Sequence, residues 1–237
     1  MKGRYESMNE ELKMKLELAH KILHMEGLAE DTTRGHVTVK SHDHRYYIKP
    51  WGVGFEEVTA EDFLGMDLDG NLVEGKGRLH GELPLHLETY RRRKEVSSIV
   101  HVHPQHSVIL SSILGEKMRV IGQHAMPFAG KIPIYESAEL VLSKKQGVKL
   151  AQTLGDSRAV LMRNHGIVTV GRTIEEAVIL AIDFEKAAEE HLKVFMFKKI
   201  LEVPSKISEK MTANIYSLEQ CAMMWDYYCR KLNRKKI

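Results

Sequence analysis

The chain has 237 residues, 43 % hydrophobic and 28 % charged, enough apolar material for one large core, and a single domain is expected. Its net charge of +3 is interleaved along the chain apart from YRRRK and RKLNRKK, so no nucleic-acid partner is expected. No stretch has the apolar length of a secretion signal or a membrane span, which points to a cytoplasmic protein with no membrane partner, and Cys221 and Cys229 are expected to be free thiols.

In chain order, Asn9 is placed to cap a first helix running through EELKMKLELAHKILHME to Gly27, with Leu12, Leu16, Ala19 and Leu23 on one buried face. His20 and His24 on that helix read as solvated side chains, because no carboxylate motif accompanies them. HVTVK and RYYIK alternate as strands, and Asp69-Gly70 within FLGMDLDGNLVEG marks a tight hairpin. A helix at LPLHLETYRRR, a strand at SSIVHVH and helices at HSVILSSIL and AELVLSKKQGVKLAQTLG come next, then strands at RAVLMRN and IVTVG. Thr173 and Glu176 make a capping box for a long helix that reaches about Leu201, and LEQCAMMWDYYCRKL forms the last helix. The expected fold is a single α/β domain over residues 1–237, with a mostly antiparallel central β-sheet flanked by helices and a C-terminal helical extension from about residue 203.

In SSIVHVHPQHSVILSS, His101 and His103 stand two apart on a strand and aim both imidazoles to one side, as two ligands of one metal must. The alternative is a pair of core histidines bonded to backbone carbonyls. Three metal folds that share the H-x-H motif fit poorly. SVIL stands where a cupin needs Glu, Gln105 stands where a metallo-β-lactamase needs Asp, and too little chain follows for an amidohydrolase barrel. His165, at the end of an apolar strand beside Asn164 and Gly166, is the best third ligand. Glu82 lies at the start of a helix just ahead of Pro84, where the positive end of the helix dipole favours its ionised form. Neutral imidazoles with a carboxylate free to act as a base describe an open catalytic site, suited to Zn²⁺, Mn²⁺, Co²⁺ or Fe²⁺.

GHVTV, IKPWGVGFEEVTAEDFLGMDLDGNLVEG, GELPLHLETYRRR, IVHVHPQHS and AVLMRNHGIVTVGRTIEEAV together resemble, in order and spacing, the class II aldolase/adducin family. That resemblance implies one divalent metal per subunit, zinc foremost, on His101, His103 and His165, with Glu82 as the acid/base. It also implies a homotetramer with small-molecule sites between neighbouring subunits. The implied chemistry is that of a carbon–carbon lyase working through a metal-stabilised enolate, from which an aldehyde departs in the aldolases and carbon dioxide in the decarboxylases.

Around the metal the chain departs from the family's sugar-phosphate aldolases, L-fuculose-phosphate aldolase among them. Where they carry Gly-Asn, Thr-Gly and Ser-Ser, it has Gly35-His36, Trp51-Gly52 and His80-Gly81. These six residues are the expected substrate-binding set; imidazoles and bulk in place of hydroxyls suit a planar carboxylate, while the amides of Gly35, Gly52 and Gly81 remain able to hold a phosphate. The family's 4-epimerase has Asp at the positions of Glu82 and Met126, which disfavours epimerisation here. His124 stands nearest the place of the aldolase tyrosine acid, which a neighbouring subunit supplies, and is the second candidate catalytic residue. NIYSLEQCAMMWDYYCRKL is similar to the tail of the aromatic-acid decarboxylase branch, such as 3,4-dihydroxyphthalate decarboxylase, and adds Tyr216 to the expected pocket. Most of that tail's aromatic residues, Trp225 and Tyr228 among them, are expected to pack at the subunit interface. The expected reaction is decarboxylation of a hydroxylated aromatic or heteroaromatic carboxylate. A sugar-phosphate aldolase is the alternative, and a non-catalytic adducin-like scaffold the alternative of another kind.

Overall fold

Alternating apolar side chains on successive strands give the chain a sheet that is buried on both faces. The computed structural model describes residues 2–113, 118–129, 132–197 and 199–235. Its elements are α1 (Lys2–Met25), β1 (His36–Lys40), β2 (Tyr46–Ile48), β3 (Leu64–Met66), β4 (Leu72–Glu74), α2 (Leu83–Arg92), β5 (Ser98–Val102) and α3 (Gln105–Ser112). They continue with β6 (Ile134–Tyr135), α4 (Lys144–Leu154), β7 (Ala159–Met162), β8 (Gly166–Gly171), α5 (Ile174–Val194), α6 (Ser205–Ile215) and α7 (Leu218–Lys235). The strands order as β4-β3-β2-β1-β5-β8-β7-β6, antiparallel except for the parallel β6–β7 pair. This is the single α/β domain with a mostly antiparallel sheet that the sequence predicts. No helix among the described residues is long and apolar enough to cross a membrane.

Val37 and Val39 of β1, Val100 and Val102 of β5 and Ile167 of β8 join one core with α1, α5 and α7. Ile99, Val168 and Val170 point the other way, against Leu85, Leu87 and Tyr90 of α2 and Leu150 and Leu154 of α4. The period of two therefore places His36, Thr38 and His101 on the α2 side, between apolar neighbours.

The structure departs from the expected elements at several places. Helix α1 begins at Lys2, and Asn9 lies inside it, its amide bonded to Asp43 at 3.3 Å. His20 is fully buried against Phe55 and Phe63, with Nδ1 2.7 Å from the Leu16 carbonyl, so it is a core histidine and not a solvated one. The turn between β3 and β4 is wider than a two-residue hairpin, because the Asp67 carboxylate accepts from the N–H groups of Asp69 and Asn71, each at 2.9 Å. Residues 138–143 are not helical. Ser143 caps α4 instead, its hydroxyl accepting from Gln146 N–H. Thr173 does cap α5, but the Glu176 carboxylate reaches the N–H of Arg172 at 2.7 Å, and the helix stops at Val194. Helix α6 lies inside the helical extension expected from about residue 203 but is not itself among the expected helices; it buries Ser208 and no large apolar residue completely, which leaves its periodicity faint. In the C-terminal extension Cys221, Trp225, Tyr228 and Leu232 belong to the core shared with α1 and α5, so Trp225 and Tyr228 are largely buried within the single chain.

Candidate active site

Strands β1, β5 and β8 lie side by side at the centre of the sheet, with His36 paired opposite His101, and His101 opposite Val168. His101 is fully buried, and its Nδ1–H donates to the Ile167 carbonyl at 3.0 Å. His103, just past the end of β5, donates through Nδ1 to the Asp31 carboxylate at 2.5 Å. A neutral imidazole that donates at one nitrogen keeps a lone pair on the other. The two Nε2 atoms face each other 3.0 Å apart, and two lone pairs at that distance repel unless a cation or a proton lies between them. His165 joins them from the turn between β7 and β8; one nitrogen of each ring lies within 4.8 Å of the others.

That turn is shaped by its neighbours. Asn164 adopts a left-handed conformation (φ 53°), and its N–H donates to the Ser111 hydroxyl at 2.9 Å. At Gly166 the two strands approach closely: a Cβ there would stand 2.4 Å from the Val102 carbonyl oxygen and 2.7 Å from His103 Cδ2. Only glycine lets β8 carry His165 up to β5 at this point.

Glu82 occupies the N-cap position of α2. Its carboxylate does not cap the helix; Oε1 accepts from Val141 N–H at 2.9 Å, while Oε2 lies 3.7, 3.9 and 4.0 Å from Nε2 of His101, His165 and His36. Burial opposes its charge, but the His101 imidazole, the Val141 N–H and His165 outweigh it and hold the carboxyl at about 2. Burial, reinforced by His101, drives His165 down to about 4. His101, His103 and His165 each bring a ring nitrogen to the Glu82 anion, a donor set that suits a divalent cation.

Behind this cluster is a second layer of polar groups. Lys49 is fully buried and donates to the carbonyls of Thr33 and Val53, both at 2.7 Å, with His80 Nε2 at 3.3 Å as its third acceptor. An ammonium only donates, so His80 carries its proton on Nδ1. Burial lowers Lys49 to about 8, and burial together with Lys49 lowers His80 to about 3. His36 meets the His80 ring edge-on at 4.6 Å and hydrogen-bonds His86, which the sequence motifs do not single out.

With this geometry in hand, comparison with known proteins decides the family. The model of the class II aldolase and adducin N-terminal domain matches residues 15–192. The chain belongs to the class II aldolase and adducin family. A 3,4-dihydroxyphthalate decarboxylase of Arthrobacter keyseri is 31 % identical over 75 % of this chain and 76 % of its own length. An L-fuculose phosphate aldolase of Methanocaldococcus jannaschii is 30 % identical over 70 % of this chain and 87 % of its own length. The solved L-fuculose 1-phosphate aldolase from Glaciozyma antarctica PI12 covers 98 % of this chain and 92 % of its own with a TM-score of 0.87; at 22 % identity it establishes the shared fold. The chain is accordingly an enzyme, a metal-dependent carbon–carbon lyase of the aldolase or decarboxylase kind.

Within this class II aldolase-family fold, the structure brings His101, His103, His165, Glu82, His36 and His80 together. Gly35 (φ +68°) is buried next to them, where an added Cβ would lie 3.0 Å from the His101 carbonyl, and Gly81 adjoins Glu82. Trp51 and Gly52 form an exposed turn tied inward by Lys49; the Trp51 ring stacks on the Arg78 guanidinium at 4.3 Å. His124 and Tyr216 are not part of this group within one chain. His124 pairs with Glu190 at 2.7 Å, the Tyr216 hydroxyl donates to Asp183 at 2.7 Å, and both line a separate cleft of about 440 Å³ against α5 and α7. Sequence reasoning missed Asp31, Lys49, His86 and the Val141 N–H. Asp31 and Lys49 lie outside the histidine motifs, and a backbone N–H has no sequence signal.

Proposed function

We propose that the protein is a cytoplasmic, divalent-metal-dependent decarboxylase of a hydroxylated aromatic or heteroaromatic carboxylate, its metal held by His101, His103 and His165. The observation that carries the metal assignment is the facing pair of Nε2 lone pairs 3.0 Å apart. The set would suit Zn²⁺ first and accept Mn²⁺, Co²⁺ or Fe²⁺. When bound, the cation would polarise the substrate oxygens and lower the cost of the negative charge left as carbon dioxide departs.

The chain's own residues do the rest. Val141 N–H pins Glu82 Oε1, which leaves the ionised Oε2 to take the proton of a substrate hydroxyl and pass it to the carbon that loses carbon dioxide. His36 and His80, neutral and in edge contact next to Glu82, supply hydrogen bonds where hydroxyls would serve a phosphate. Trp51 and Arg78 offer a flat rim to a planar ring. Likeness to a 3,4-dihydroxyphthalate decarboxylase supports the same substrate class. In a homotetramer a neighbouring copy would bring His124 and Tyr216 to the site. The apolar side chains of Phe195, Met196, Phe197 and Leu201, exposed on the single chain, support such assembly.

A second reading, a sugar-phosphate aldolase, is favoured by the 30 % identity to an L-fuculose phosphate aldolase. Proton NMR of dihydroxyacetone phosphate in D₂O with the zinc-loaded enzyme separates the two. Loss of one C–H signal would overturn the decarboxylase reading, whereas no exchange together with carbon dioxide release from 3,4-dihydroxyphthalate would support it.

A further inference from the structure

The cluster contains a second group that satisfies metal-ligand spacing, His36, Glu82 and His101, so spacing alone does not say whether His36 is a ligand. Hydrogen bonding behind it does. His36 Nδ1 lies 2.6 Å from His86 Nε2, His86 Nδ1 lies 2.8 Å from Thr38 Oγ1, and Thr38 Oγ1 lies 2.9 Å from the Tyr90 hydroxyl. The direction of donation follows from the far end. Tyr90 has two oxygens in reach, Thr38 at 2.9 Å and the Ser97 carbonyl at 3.5 Å, and the shorter contact takes its proton. Thr38, having accepted there, donates to His86 Nδ1. The His86 proton is then on Nε2 and points at His36 Nδ1, which must accept. His36, His86, Thr38 and Tyr90 are all buried, so no bulk water competes for these bonds.

We propose that the chain Tyr90–Thr38–His86 fixes the proton of His36 on Nε2, which bars His36 from the metal and makes it a hydrogen-bond donor to an anionic oxygen of the substrate. Thr38, His86 and Tyr90 are positioning residues in this scheme. The Nε2–H of His36 faces the space beside Glu82, whose Oε2 at 4.0 Å is beyond hydrogen-bond reach. The metal half of the statement rests on the histidine cluster alone; the substrate half rests on the reading of the pocket as a carboxylate site.

The decisive measurement is ¹⁵N NMR of the histidine side chains in the full-length protein loaded with ¹¹³Cd²⁺, with His36 assigned from the spectrum of H36Q. The expected result is a His36 ring protonated at Nε2 with no coupling to cadmium, while His101, His103 and His165 show coupling. A proton on His36 Nδ1, or a cadmium coupling to His36, overturns the proposal; no coupling at any histidine would instead sink the metal assignment and leave the tautomer result standing. Thr38→Val removes the hydroxyl at constant shape and should move the His36 proton to Nδ1, whereas Thr38→Ser should retain the wild-type pattern. A His36 still protonated on Nε2 in Thr38→Val would remove the chain from its positioning role. With 3,4-dihydroxybenzoate as probe, Thr38→Val should weaken binding about tenfold at unchanged zinc content, the loss expected for one hydrogen bond to a charged group. Equal binding by the two proteins would overturn the substrate half.

Discussion

His101, His103 and Glu82 each have one nitrogen or oxygen tied to the scaffold and one left free, and single substitutions should separate the two roles. His101→Ala removes one of the facing lone pairs and should leave the protein without zinc, read by metal analysis after dialysis against a weak chelator. Glu82→Gln should retain zinc and lose about 10²–10⁴-fold in turnover if Glu82 transfers the proton; a rate within twofold of wild type would remove it from that role. Asp31→Asn leaves His103 without its anionic acceptor and should weaken zinc binding by about 10–100-fold in a chelator competition, with the fold unchanged. The depressed Glu82 carboxyl also has a signature in the metal-free protein. Its folded value of about 2 lies below the usual 4.5, so its charged form contributes stability in full above pH 4.5 and loses it as pH falls toward 2. The difference in urea stability between wild type and Glu82→Gln should therefore shrink between pH 5 and pH 3.

At the scale of elements, the site depends on how strands and caps deliver backbone groups. Gly166→Ala would force β5 and β8 apart at the Val102 carbonyl, with an expected loss of about 1–3 kcal/mol in unfolding free energy and of zinc affinity together. The H-x-H motif was legible in the sequence because alternation on a buried strand puts both rings on one side, and His165 because a turn after an apolar strand points its side chain off the sheet end. The helix expected over 138–155 shows the limit. Apolar spacing favours helix at 138–143, but the Ser143 cap with Gln146 stops it, and the extended stretch lends Val141 N–H to Glu82. The partners Asp31, Lys49 and His86 were illegible for a similar reason: each acts through a hydrogen bond to a residue far along the chain, 72 positions away for Asp31, 31 for Lys49 and 50 for His86.

For the whole molecule, the mostly antiparallel sheet and its two cores follow the alternation seen in the sequence, while the tail does not. Its aromatic residues looked like interface material, yet Trp225 and Tyr228 close the core over α1 and α5 while Met223 and Tyr227 stay exposed, and a second exposed apolar patch lies ahead of the tail at Phe195, Met196, Phe197 and Leu201. Met196→Glu should lower the sedimentation coefficient toward that of a single chain if this patch is the contact between copies. The placement of the ligands has a further consequence. His101 belongs to a central strand and His165 to the turn that leads into another, whereas Trp51, Gly52 and His80 belong to two peripheral turns joined to each other by Lys49, by the Trp51 N–H donating to the Arg78 carbonyl at 2.8 Å and by the Trp51–Arg78 stacking. Chemistry and selectivity are thus housed in separately heritable parts, and a library confined to residues 51–53 and 78–80 should yield variants that exchange one substrate for another while every one of them still carries its metal.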